Sequence, residues 1–183
     1  MRKYLSIVAL LLLVSVTLTA CGLSEAETKY NAGTDKFNAG DIDGALADFN
    51  EAIRLDPNLA VAYMNRGAVW ATKNEPDKAI EDETKALDLK LSRVEDQATA
   101  LVNRAGAYAA KGDFDKGIAD ADEAIKVRSD YSKAFYIRGI CNMSKQQNDA
   151  AITDFKKVIE LAKDSSEGKA AQQYLDQLQA PTP

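Results

Sequence analysis

The stretch AETKYNAGTDKFNAGDIDGALADFNEAIRLDPNL, residues 26–59, decides the fold because it returns. Residues 60–93, 98–131 and 132–165 repeat its pattern with a period of 34, and the only break in register is the insertion Val94–Gln97. Position 8 of the four copies reads Gly33, Gly67, Ala105, Gly139; position 20 reads Ala45, Ala79, Gly117, Ala151; position 27 reads Ala52, Ala86, Ala124, Val158. Aliphatic residues follow each small one, with Leu46, Ile80, Ile118, Ile152 at position 21 and Ile53, Leu87, Ile125, Ile159 at position 28. A fixed period of this length marks stacked copies of one supersecondary unit.

That unit is a pair of antiparallel helices. Small residues at 8, 20 and 27 let two axes approach closely, and the aliphatics fill the space between copies. Turn signals fall midway, at Asn38-Ala39-Gly40-Asp41 and Lys111-Gly112-Asp113. Position 18 is always aspartate (Asp43, Asp77, Asp115, Asp149), where it favours the positive end of the second helix. The period, the small residues and Leu55-Asp56-Pro57 closing the first copy resemble tetratricopeptide repeats over residues 26–165. The resemblance implies an all-α, right-handed superhelical solenoid of four helix–turn–helix repeats. Two departures stand out: position 24, usually aromatic, is Phe49 and Phe155 in the outer repeats but Glu83 and Ala121 in the inner ones, and Pro57 has no counterpart. A further helix over 166–179 carries Ala171, Tyr174, Leu175 and Leu178 on one face and is expected to cap the stack, with 180–183 a frayed tail.

The N-terminus belongs to a different argument. Arg2 and Lys3 precede an almost unbroken apolar run, Leu5–Leu18, shorter than the roughly 20 apolar residues of a permanent span. This is the layout of a secretory signal. Leu18-Thr19-Ala20-Cys21 resembles the lipobox of bacterial lipoproteins, which implies cleavage after residue 20 and a covalent lipid on Cys21. An ordinary secretory signal with an incidental cysteine is the alternative. Residues 21–25 would then be a short tether. Arg2 and Lys3 are the only charges in the leader, so its loss takes the net charge from −5 to −7. So acidic a domain is repelled by nucleic acid and by anionic head groups. With Cys21 acylated, Cys141 has no disulfide partner. The chain has no histidine, the commonest general base and metal ligand. No catalytic spacing, phosphate loop or metal-ligand set occurs, and no metal or cofactor besides the lipid is expected. The chain reads as a non-enzyme.

Two side-chain series run through the repeats. Position 7 is Ala32, Arg66, Arg104, Arg138, and position 23 is Asp48, Asp82, Asp120, Asp154. The missing first arginine predicts pairing between neighbours, Asp48 with Arg66, Asp82 with Arg104 and Asp120 with Arg138, in a structural role that fixes register. The family resemblance places positions 2, 5, 6, 9, 12 and 13 on a concave surface. Position 5 supplies Tyr30, Met64, Val102 and Tyr136, and position 6 supplies Asn31, Asn65 and Asn103, then Ile137. Phe37, Ile140 and Met143 lie in the outer repeats, while the middle ones have small residues at Ala68, Ala71, Thr72, Gly106, Ala109 and Ala110. Amides that donate and accept, beside adaptable apolar surface, predict a groove for a peptide segment of a partner protein. The asparagines would otherwise be ordinary residues of a solvated helix face. Only Lys133 at position 2 matches a carboxylate clamp, which argues against recognition of an acidic C-terminus.

The expectation is a membrane-anchored lipoprotein scaffold that binds envelope proteins. Where the host has two membranes, the periplasmic face of the outer membrane is favoured, because Gly22 stands where a retention aspartate would. The plan is also similar to pilotin lipoproteins that assemble secretins and to adaptors for cell-wall hydrolases. A structural lipoprotein that only stacks on itself is a third reading, opposed by the capping helix.

Overall fold

The computed structural model describes residues 23–180, and the expected leader, Cys21 and the end of the tail (181–183) lie outside them. The described residues form nine helices and no strand: α1 (Glu25–Asn38), α2 (Ile42–Leu55), α3 (Ala60–Thr72), α4 (Pro76–Asp88), α5 (Val94–Ala110), α6 (Phe114–Val127), α7 (Ser132–Ser144), α8 (Asn148–Ala162) and α9 (Ser166–Gln179). The insertion Val94–Gln97 does not loop out; it adds a first turn to α5, which at 17 residues is the longest helix. Helix α1 starts on a capping box, the Ser24 hydroxyl accepting from the Glu27 N–H while the Glu27 carboxylate accepts from the Ser24 N–H.

Each pair α1/α2, α3/α4, α5/α6 and α7/α8 packs internally, and each second helix packs on the next first helix. Successive first helices also touch one another, whereas successive second helices do not. A stack that is tight along one row and splayed along the other must curve. The first helices therefore line the concave side.

The turn inside every pair has one geometry. Position 15 is left-handed in all four repeats, with φ +82° at Gly40, 59° at Asn74, +79° at Gly112 and 63° at Gln146. The residue after it donates its N–H to a carbonyl five residues back: Asp41 to Lys36, Glu75 to Trp70, Asp113 to Tyr108 and Gln147 to Asn142, all at 2.9 Å. This is a Schellman closure, which glycine and asparagine accept readily and glutamine does not. Gln146→Gly is expected to stabilise the chain by about 1 kcal/mol and raise Tm by about 2–4 °C in thermal unfolding followed by circular dichroism.

The close approach inside each pair is set by positions 8 and 24. A Cβ on Gly33 would lie 2.8 Å from the Phe49 ring, and one on Gly139 would lie 2.8 Å from the Phe155 ring. In the third repeat both positions are alanine, Ala105 and Ala121, so the requirement for glycine disappears. At the far end Ala171 and Leu175 of α9 are buried, and Tyr174 stacks on Phe155 with ring centroids 5.3 Å apart. Cys141 is buried and free, and burial pushes its thiol up to about 11, so it packs as an inert apolar residue.

Candidate functional site

The charged ladder runs within repeats, not between them. Arg66 grips Asp82 with Nε and Nη2, both at 2.7 Å; Arg104 grips Asp120 at 2.7 and 2.8 Å; Arg138 Nη2 donates to Asp154 at 2.6 Å. The expected pairs Asp48–Arg66, Asp82–Arg104 and Asp120–Arg138 are therefore wrong. Antiparallel packing brings position 7 opposite position 23 of its own pair. Asp48, whose repeat has Ala32 instead, meets Lys36 at 2.6 Å. The arginines do reach the preceding repeat, with the remaining nitrogen: Nη1 donates to Asn50 from Arg66, to Thr84 from Arg104 and to Asp122 from Arg138. All three acceptors are position 25. The carboxylate partners hold the guanidinium groups of Arg66 and Arg104 more firmly charged than usual.

A second ladder was missed by sequence reasoning. Lys73, Lys111 and Lys145, at position 14, pair with Asp43, Asp77 and Asp115 at position 18 of the repeat before. The invariant aspartates had an adequate local explanation at the helix start, which concealed the longer reach. The signal was the matching lysine, absent from the first repeat, where Ala39 stands.

Most of the expected groove residues are engaged elsewhere in the fold. Tyr30 and Phe37 pack in the N-terminal core cluster with Phe49 and Val69, and Asn31 is exposed beside them. Met64 is only 7% exposed and lies in the core between the second and third repeats with Ala86 and Ala100, so it offers no groove surface. Tyr136, Ile140 and Met143 pack against the cluster of Phe135, Phe155 and Ala171, where they seat the capping helix. Helical periodicity marks the face these three occupy, but it does not distinguish a ligand from a cap. Asn65 is spent as well, its Nδ2 donating to Thr34 Oγ1 at 3.2 Å and Tyr30 OH at 3.4 Å across the repeat boundary.

What remains is an open cleft of about 240 Å³ on the concave side, spanning α3, α5 and α7. Asn103, Gly106, Ala107 and Ala110 line its floor along α5, over Val102, which is 1% exposed and packed in the core with Leu101 and Ala134. Ala71, Asn74 and Pro76 close one side, and Lys133 and Ile137 close the other. The lysine is the cleft's one charged lining residue and makes no ion pair among the described residues. Beneath the floor sits Glu83, 0% exposed. Its Oε1 accepts from Asn103 Nδ2 at 2.9 Å, and its Oε2 is buried without a partner. Burial raises its carboxyl well above the usual range, against a smaller lowering by the Asn103 hydrogen bond. No cluster of metal-ligating side chains occurs among the described residues.

Comparison with known proteins agrees with this architecture. Models of the tetratricopeptide repeat match residues 33–74 and 102–166, together more than half of the chain. This chain is a tetratricopeptide-repeat protein. Its repeats are 39% identical over 66 residues to Hsp70-Hsp90 organizing protein 2 of Arabidopsis thaliana, covering 36% of this chain and 11% of that protein. The chain thus spans about a tenth of that relative's length. Among solved structures, MamA superposes with a TM-score of 0.69 at 23% identity, over 84% of this chain and 80% of that one. The first tetratricopeptide domain of Spaghetti (RPAP3), solved bound to the Hsp90 peptide SRMEEVD, superposes with a TM-score of 0.58 at 25% identity, over 65% of this chain and 89% of that one.

Proposed function

We propose that this tetratricopeptide-repeat protein is a non-catalytic interaction module that holds a peptide segment of a partner protein in the α3/α5/α7 cleft. The observation that carries the reading is the cleft itself: a largely apolar lining with two amides, Asn74 and Asn103, and one ammonium, open along the concave side. Tetratricopeptide domains generally mediate contacts between proteins, and the peptide-bound Spaghetti domain lends the analogy. Lys133 gives the cleft a preference for a segment with an acidic residue. We further propose that a lipid on Cys21 tethers the repeats to a bacterial envelope membrane, outer where there are two, so that the partner is an envelope protein. No described helix is long and apolar enough to cross a membrane.

The test places a photo-crosslinking amino acid at Ala110, on the exposed rim of the cleft, in living cells, with Lys85 on a second helix as control. A discrete partner captured at Ala110 and absent at Lys85 is the expected result. Equal capture at both sites, or none at Ala110, refutes the cleft reading. In the same cells an alkyne-tagged fatty acid should label the protein and lose its target on Cys21→Ser. Unchanged labelling would refute the anchor.

A further inference from the structure

We propose that Glu83 and Asn103 form a proton-controlled switch that sets which end of the Asn103 amide faces the cleft. The inference rests on the peptide-cleft reading and specifies how the cleft would hold a peptide main chain. Glu83 occupies the position filled by Phe49 and Phe155 in the outer repeats, and it fits because Gly67 opposite has no Cβ: one built there would lie 2.8 Å from Oε1. Among the described residues, Asn103 is the one cleft side chain that hydrogen-bonds this buried carboxyl. Its Nδ2 points inward to Oε1, and no hydrogen bond engages its Oδ1 among the described residues.

An ionised carboxylate only accepts, so it holds Nδ2 inward and leaves Oδ1 to the cleft. A protonated carboxyl carries one donor. The amide can then turn, taking the Glu83 O–H on Oδ1 and presenting its NH₂ to the cleft, where a peptide carbonyl would accept from it. The turned arrangement leaves a lone carbonyl oxygen buried where the other leaves half of a charge, and a buried charge is the costlier. The charged groups facing Glu83 are Asp82 on its own helix, Arg104 on α5 and Lys133 on α7. Arg66, next to Gly67, is already engaged by Asp82. Lys133 and Arg104 favour the ionised form, while burial and Asp82 favour the proton. A carboxylate seated on Lys133 would neutralise one favouring cation. Binding an acidic segment and keeping the proton on Glu83 would then reinforce one another.

The full chain, labelled with ¹³C and ¹⁵N, can be followed by NMR from about pH 5 to 9, the range in which a buried carboxyl titrates. Expected is a change in the side-chain amide of Asn103 with the same midpoint as the Glu83 carboxyl carbon. Nuclear Overhauser contacts of the NH₂ should run to Ile137 below the midpoint and to the Glu83 methylenes above it. An amide whose contacts stay fixed while Glu83 titrates overturns the switch, as does an amide change that persists in Glu83→Gln. A second measurement adds N-acetyl-proline dimethylamide, which offers carbonyls but no N–H. Its binding should weaken about fivefold across the midpoint, the worth of one neutral hydrogen bond, and stay flat in Glu83→Gln. Pairing with Asn103 is refuted if the dependence is missing. Probe shifts absent from Gly106 and Ala107 at every pH overturn the cleft reading instead, while the amide contacts still decide the switch.

Discussion

Arg104→Met should lower the unfolding free energy by about 3 kcal/mol, measured in urea, because it strands Asp120 at 9% exposure without its two-pronged partner. It also removes the Thr84 contact, so the loss falls at the boundary between the second and third repeats as well as inside the third. The double variant Arg104→Met/Asp120→Leu is the decisive comparison. Replacing both members of a buried pair by apolar groups commonly restores stability, whereas removing one does not. Recovery of most of the loss in the double variant identifies the stranded carboxylate as the cause. If the double variant is no better than the single one, the packing of the arginine stem is what matters.

Glu83→Phe should stabilise the chain at neutral pH by about 1–3 kcal/mol, by removing a buried, half-satisfied carboxyl and restoring the residue type of Phe49 and Phe155. The wild type should also show a pH dependence that the variant lacks. The native state keeps a proton on Glu83 that the unfolded chain releases above its ordinary value of 4.5. Stability linked to this group is thus fully present at low pH and falls as pH rises from that value toward the raised native one. Urea midpoints compared at acidic and mildly alkaline pH should diverge for wild type and stay closer for Glu83→Phe. Equal slopes in the two proteins would show that Glu83 does not remain protonated in the fold.

The repeat architecture was legible because its cause is periodic: small residues recur where axes cross, and a period of 34 needs no knowledge of the partners. The ion pairs were not. Position 7 reaches both its own position 23 and a neighbour; the absent first arginine pointed to a backward contact, but the acceptor named for it, position 23 of the preceding repeat, was the wrong one, and position 25 takes that place. Glu83 was visible as a departure from an aromatic position, yet its burial against Gly67 and its bond to Asn103 required the fold. The groove was readable as a face but not as a surface. Met64 disappears between repeats, and Tyr136, Ile140 and Met143 go under the final helix. Asn74, in the turn, and Pro76, the first residue of α4, entered the cleft unannounced because the concave face was read from the first helices alone.

The backward reach of Arg66, Arg104 and Arg138, and of Lys73, Lys111 and Lys145, gives the array a grammar for growth. A copy of residues 98–131 inserted after itself would bring its own arginine and lysine and meet Asp122 and Asp115 as acceptors, so the chain can lengthen by duplicating an interior unit. A copy of residues 26–59 placed in the same position would present Ala32 and Ala39, leaving those aspartates with nothing to hold. Units of this chain are therefore not interchangeable parts. The first is an opening word, and only the later ones can be repeated mid-sentence.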